Sequence, residues 1–119
     1  MKAIRGKDAV YNDKGNGSSL AEFIGRTAEI RRSNYAIAET RLTKGASEEK
    51  HHHVITEEVY MFVKGSCRMK INGETECFSA GDLLVAEPGD EHEIIEALED
   101  TGFWVLTVPA FDPGDYIVG

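Results

Sequence analysis

The chain has 119 residues, enough for one domain around one hydrophobic core and too few for two. Apolar residues make up 41% and charged residues 29%, a soluble globular composition, and no apolar run approaches the ~20 residues that cross a bilayer. A net charge of −8 with no Lys/Arg cluster repels phosphate backbones and argues against a nucleic-acid partner.

In chain order, the first ~18 residues, "MKAIRGKDAVYNDKGNGSS", are rich in Gly, Asn, Asp and Lys. They read as an arm that stays mobile or pairs along a sheet edge. They carry no apolar signal core, so a cytoplasmic location is expected. "SSLAEFIGRT" has a Ser, an apolar pattern and a closing Gly, which predict one helical turn at most. "YAIAETRLT" (35–43) and "EVYMFV" (58–63) are short, branched or aromatic, and predict strands. "SCRMKI" and "ETECFS" flank Asn72-Gly73, a strong two-residue hairpin signal. Cys67 and Cys77 lie on these arms. Two half-buried thiols in a reducing compartment are expected, because a one-residue change of register would separate their faces. "DLLVAE", "HEIIEAL" and "GFWVLTV" complete the set, with the last apolar on both faces. Turn signals recur every 8 to 12 residues. The prediction is an all-β sandwich or barrel with little helix, a single domain over 1–119.

The strongest chemical signal is "KGASEEKHHHVITEEVYMFVKG" (44–65), which holds three of the four histidines. Residues two apart on a strand share a face about 6.5–7 Å apart, so His51 and His53 can aim at one point while His52 points away. A divalent metal takes imidazole nitrogen at about 2.0–2.2 Å, and a carboxylate balances its charge. Glu57 and Glu58 both follow closely enough to supply one. The remaining histidine, His92, stands after the Pro88-Gly89 turn at the head of a strand.

At this point the chain resembles the cupin superfamily. Gly45, His51, His53, Glu58 and Gly65 fit the first cupin motif, G-x5-H-x-H-x(3 or 4)-E-x6-G. Gly81, Gly89 and His92 fit the second, G-x5-P-x-G-x2-H-x3-N, with Glu87 at the proline position and Glu96 at the asparagine position. The resemblance implies an antiparallel jelly-roll β-barrel of six to eight strands and a metal near one mouth. It implies the ligands His51, His53, Glu58 and His92; strand parity from His53 alone favours Glu57, which stays the fallback carboxylate, whereas the six-residue spacing to Gly65 favours Glu58. Alternation from His92 also turns Glu96 inward.

Three imidazoles and a carboxylate around an octahedral ion leave two open positions for water, oxygen or a bidentate substrate. Iron or manganese suits this donor set, and nickel, cobalt or zinc also fit. Tyr60 and Phe62 alternate with Glu58 and are expected to line the pocket, Tyr60 as a candidate catalytic phenol. Arg41 or Arg68 would pair a substrate carboxylate if it faced inward. The function expected is a metal-dependent small-molecule enzyme, oxidoreductase (dioxygenase-like) ahead of Lewis-acid isomerase, lyase or decarboxylase. A non-catalytic module that binds or senses a metal or small ligand is the alternative. A homodimer is expected, through the N-terminal arm or the 103–108 strand.

Overall fold

The computed structural model describes all 119 residues. The strands in chain order are β1 (Asn12–Gly15), β2 (Ser18–Gly25), β3 (Ile30–Arg31), β4 (Ala36–Leu42), β5 (Glu48–His52) and β6 (Glu57–Lys64). They continue as β7 (Ser66–Ile71), β8 (Glu74–Ser79), β9 (Leu83–Ala86), β10 (His92–Ala97), β11 (Thr101–Val108) and β12 (Ile117–Val118). The only helical pieces are two short 3-10 turns, Gly6–Asp8 and Pro113–Asp115. A seven-stranded sheet runs β1-β2-β4-β11-β6-β9, with β3 beside β2, and a five-stranded sheet runs β12-β5-β10-β7-β8. Their inner faces enclose the interior of an antiparallel jelly-roll barrel. The twelve strands exceed the six to eight expected: β1, β3 and β12 are short additions to the two sheets, and nine strands remain without them.

Alternation decides what each strand sends inward. Along β6, Glu58, Tyr60 and Phe62 are buried, and along β11 the same is true of Phe103, Val105 and Thr107. The register opposes Phe103 to Phe62, Val105 to Tyr60 and Thr107 to Glu58. Tyr60, Phe62, Phe103 and Val105 meet Met69 and Ile94 from the facing sheet in one core. Full burial of a side chain such as Phe103 or Met69 contributes about 2–3 kcal/mol. Glu58 thus enters the interior on the same face as the core aromatics.

"SSLAEFIGRT" is a correction: Ser18–Gly25 is strand, not a helical turn. Asn16 and Gly17 both have positive φ (52° and 82°), and Gly15 pairs with Ser18 across them. That geometry is a two-residue hairpin turn, the same device as Asn72-Gly73 (48° and 85°). It sends the chain back antiparallel to β1, and pairing with β4 on the other side overrides a short apolar pattern. Cys67 and Cys77 are not equally half-buried. Cys67 opposes Phe78, and Arg68 opposes Cys77, so the two thiols take opposite faces, one buried and one exposed.

Candidate metal centre

His51 lies on β5 and His92 opens the adjacent β10, where the two are register partners. His53 stands one residue beyond β5, and Glu58 projects from β6 in the opposite sheet. The four side chains therefore meet across the barrel interior. All four are buried, and one donor atom from each lies within 4.8 Å of the others. Ligands at about 2.0–2.2 Å from an octahedral ion lie about 3 Å apart when adjacent and about 4.3 Å when opposed. Glu58 Oε1 is 3.0 Å from both His53 Nε2 and His92 Nε2.

The far side of each ring sets its orientation. His51 Nδ1 lies 3.0 Å from the Glu49 carbonyl oxygen, His92 Nδ1 lies 2.9 Å from that of Asp90, and His53 Nδ1 lies 2.6 Å from that of Asp115. A carbonyl only accepts, so each Nδ1 carries the proton and each Nε2 presents a lone pair to the centre. Two such lone pairs facing one carboxylate oxygen repel unless a proton or a cation lies between them. His53 Nε2 is buried 3.0 Å from Glu58 Oε1 and is left without a hydrogen-bond partner. A donor set of this kind fits a divalent cation.

Charge follows from the same contacts. Burial pushes His51 down to about 4. Burial opposes charge on His53, but the Glu58 carboxylate prevails and raises it. Burial would raise Glu58, yet His53 and His92 hold it at about 2. The C-terminal segment closes the site from outside. The Asp115 carboxylate accepts from the backbone N–H groups of Val54, Ile55 and Thr56 and from Thr56 Oγ1. Tyr116 stacks on His51 with ring centroids 4.5 Å apart.

Beside the donors is a cavity of about 10 Å³, room for one water, lined in part by Glu48, His51, Tyr60, Met69 and His92. Tyr60 donates to Glu58 Oε1 at 3.3 Å. Glu48 escaped sequence reasoning. It precedes His51 by three residues, which strict alternation assigns to the opposite face. A bulge in the β5–β10 pairing, between the His51–His92 and Glu48–Ile94 partners, returns it to the inner face. Burial, then the Glu58 carboxylate, pushes Glu48 up to about 7.

Other candidates lie elsewhere. Glu57 is exposed, because it alternates with Glu58 on β6. Arg41 is a correction: it sits on the outer face of β4, pairs with Glu39 at 3.1 Å and covers the Tyr11 ring. Arg68 likewise pairs with Glu96 at 2.6 Å, both partly exposed. Glu96 does not face inward, because a bulge between Ile94 and Glu96 breaks the alternation and turns Ala97 in instead. Phe62 is a further correction. It belongs to the aromatic core, its ring 5.3 Å from Phe78 and 5.2 Å from Phe103, and does not line the cavity.

The sequence model of the cupin domain matches residues 38–108, more than half of the chain. The chain belongs to the cupin family. Comparison with curated proteins finds no match. Among solved structures, this cupin is similar to KdgF from Halomonas sp., with 19% identity, TM-score 0.81, and coverage of 94% of this chain and 96% of that one. It is similar to Pac13 from Streptomyces, a nucleoside dehydratase, with 16% identity, TM-score 0.81, and coverage of 100% and 91%. It is also similar to a variant of oxalate decarboxylase from Bacillus subtilis, with 24% identity, TM-score 0.78 and 94% of this chain covered. The chain spans only 30% of that longer protein. At these identities the likeness is one of fold. All four donors of this cupin lie inside the matched span, whereas Asp115 and Tyr116, which touch two of them, lie outside it.

Proposed function

We propose that this cupin is a metal-dependent enzyme that converts a small oxygen-rich molecule beside a divalent ion held by His51, His53, Glu58 and His92. The observation that carries the reading is the convergence within 4.8 Å of one donor atom from each of three oriented imidazoles and one carboxylate, inside the barrel. The mixed nitrogen and oxygen set suits iron or manganese, and also accepts nickel, cobalt or zinc. A bound ion supplies Lewis-acid polarisation of a substrate oxygen or, as iron, a docking point for dioxygen. Tyr60 offers a phenol donor at that oxygen, and Glu48 offers a carboxyl group in the same cavity. Two groups able to move protons favour lyase, isomerase or decarboxylase chemistry over the dioxygenase reaction. Similarity to a nucleoside dehydratase and to an oxalate decarboxylase, both acting on small oxygen-rich molecules, points the same way.

The cavity of about 10 Å³ favours a second reading, a module that captures the ion itself. Elemental analysis of untagged protein, followed by assays of hydroxy acids, sugar acids and nucleosides under air and under argon, separates the readings. Turnover that is independent of oxygen, abolished by a chelator and restored by one metal supports the lyase-type enzyme. Oxygen consumption points to the oxidoreductase, and metal uptake without turnover points to the binding module. His92→Ala is expected to weaken metal binding more than about tenfold. Equal metal content in that variant removes His92 from the ligand set.

We also infer a homodimer, joined through the outer face of the seven-stranded sheet. The two free cysteines suit a reducing, cytoplasmic location.

A further inference from the structure

We propose that the C-terminal segment is a working part of the metal centre, with Asp115 as the positioning residue that fixes His53 and the chain between the His53 and Glu58 ligands. The inference rests on the metal-binding reading above. Residues 53–56 connect β5 to β6, and this short loop determines how the histidines of the five-stranded sheet meet the carboxylate of the seven-stranded sheet. Three consecutive backbone N–H groups in it, of Val54, Ile55 and Thr56, point at a single carboxylate. Asp115 accepts from them at 2.8, 3.1 and 2.9 Å, and from Thr56 Oγ1 at 2.8 Å. Hydrogen bonds to an ionised acceptor are about twice as strong as neutral ones.

The backbone of the same residue acts on the ligand directly. The Asp115 carbonyl accepts from His53 Nδ1 at 2.6 Å, which fixes the tautomer and aims Nε2 at the centre. Asp115 is itself held in place. Its 3-10 turn is capped by the Asp112 carboxylate, which accepts from Gly114 N at 2.9 Å. Beyond it, Ile117 and Val118 pair with His52 and His51, and Gly119 N donates to the Lys50 carbonyl at 2.9 Å. One tail segment therefore grips both the strand carrying His51 and the loop carrying His53. His92, oriented by Asp90 instead, is outside its reach.

The test compares wild-type, Asp115→Asn and Thr56→Val proteins. The amide keeps the size of the aspartate but loses its charge and turns a donor toward the loop N–H groups. Zinc affinity is measured by chelator competition. The imidazole Nδ1–H resonances of His53 and His92 are followed by NMR in zinc-loaded and metal-free protein. Asp115→Asn is expected to weaken zinc binding about 10–100-fold and to expose the His53 Nδ1–H to solvent exchange, with that of His92 unchanged. Thr56→Val removes one of the four side-chain contacts and is expected to weaken binding a few-fold with the same selective change at His53. Folded Asp115→Asn protein with wild-type affinity and a protected His53 proton overturns the proposal. If that variant does not fold, wild-type affinity in Thr56→Val overturns it. Wild-type protein that takes up no metal overturns the metal-binding reading alone, because the metal-free His53 signal still reports whether Asp115 positions the ring.

Discussion

His53 sets the pH at which the site opens to a cation. Its Nε2 must lose any proton before it can ligate, and the Glu58 carboxylate, prevailing over burial, raises its pKa above the ordinary 6.5. Affinity is therefore complete above that raised value and falls as pH drops through it, by about tenfold per pH unit for one displaced proton. His51, pushed down to about 4 by burial, stays free to ligate until far more acid conditions. A zinc or manganese titration from about pH 8 to about pH 5 checks this, and a flat profile across that range counts against His53 as a ligand. The donors themselves were legible because their spacing on strands is a chemical signal: His51 and His53 two apart, a carboxylate a short turn later, and His92 at a strand start. Glu48 and Glu96 were not, and for one reason. Each sits beside a bulge that reverses the alternation on which any inward or outward assignment depends, bringing Glu48 in and sending Glu96 out. Asp115 carries no spacing signal at all, since its role depends on the tail folding back some sixty residues to a loop it meets only in three dimensions.

At the scale of elements, the β6–β7 junction holds Glu58's strand against the facing sheet. Gly65 makes the passage with φ of 75°, and a Cβ there would lie 2.2 Å from the Asp100 carbonyl oxygen, far inside contact distance. Both the left-handed backbone and the clash oppose any side chain. Gly65→Ala is expected to destabilise the protein by about 2–4 kcal/mol, read as a lower urea midpoint with an unchanged m-value. A loss below about 0.5 kcal/mol, the usual size of a neutral surface change, would mean that the junction relaxes freely. The cupin motif marks this glycine, and Asn72-Gly73 announces its hairpin, so the central strands were readable. The β1–β2 hairpin uses the same Asn-Gly chemistry at Asn16-Gly17, but the polar arm before it carries no alternating apolar pattern. Without that pattern the turn signal had no strand on one side, and the apolar spacing of 18–25 was free to read as helix.

For the whole molecule, the unsettled surface is the outer face of the seven-stranded sheet. Register places Val59, Met61, Leu83, Val85, Trp104 and Leu106 together there, and Val63 shares the outer side of β6. Trp104 is partly covered by Phe23, at 5.1 Å between ring centroids, but Val63, Leu83 and Val85 remain 54%, 59% and 42% exposed. An apolar sheet face bordered by an edge strand, β9, is poorly suited to water and well suited to a second copy of itself about a two-fold axis. Association brings together two chains that each carry a charge of −8, so their long-range repulsion opposes it. Salt screens that repulsion over about 10 Å at 0.1 M without weakening apolar burial. The expected result is a dimer by sedimentation equilibrium whose dissociation constant falls as salt is raised. Leu83→Glu combined with Val85→Glu should give a monomer that still binds metal, because both side chains point away from the barrel interior. Association that weakens with salt would indicate an interface held by ion pairs elsewhere, and a doubly substituted protein that stays dimeric would remove this face from the contact.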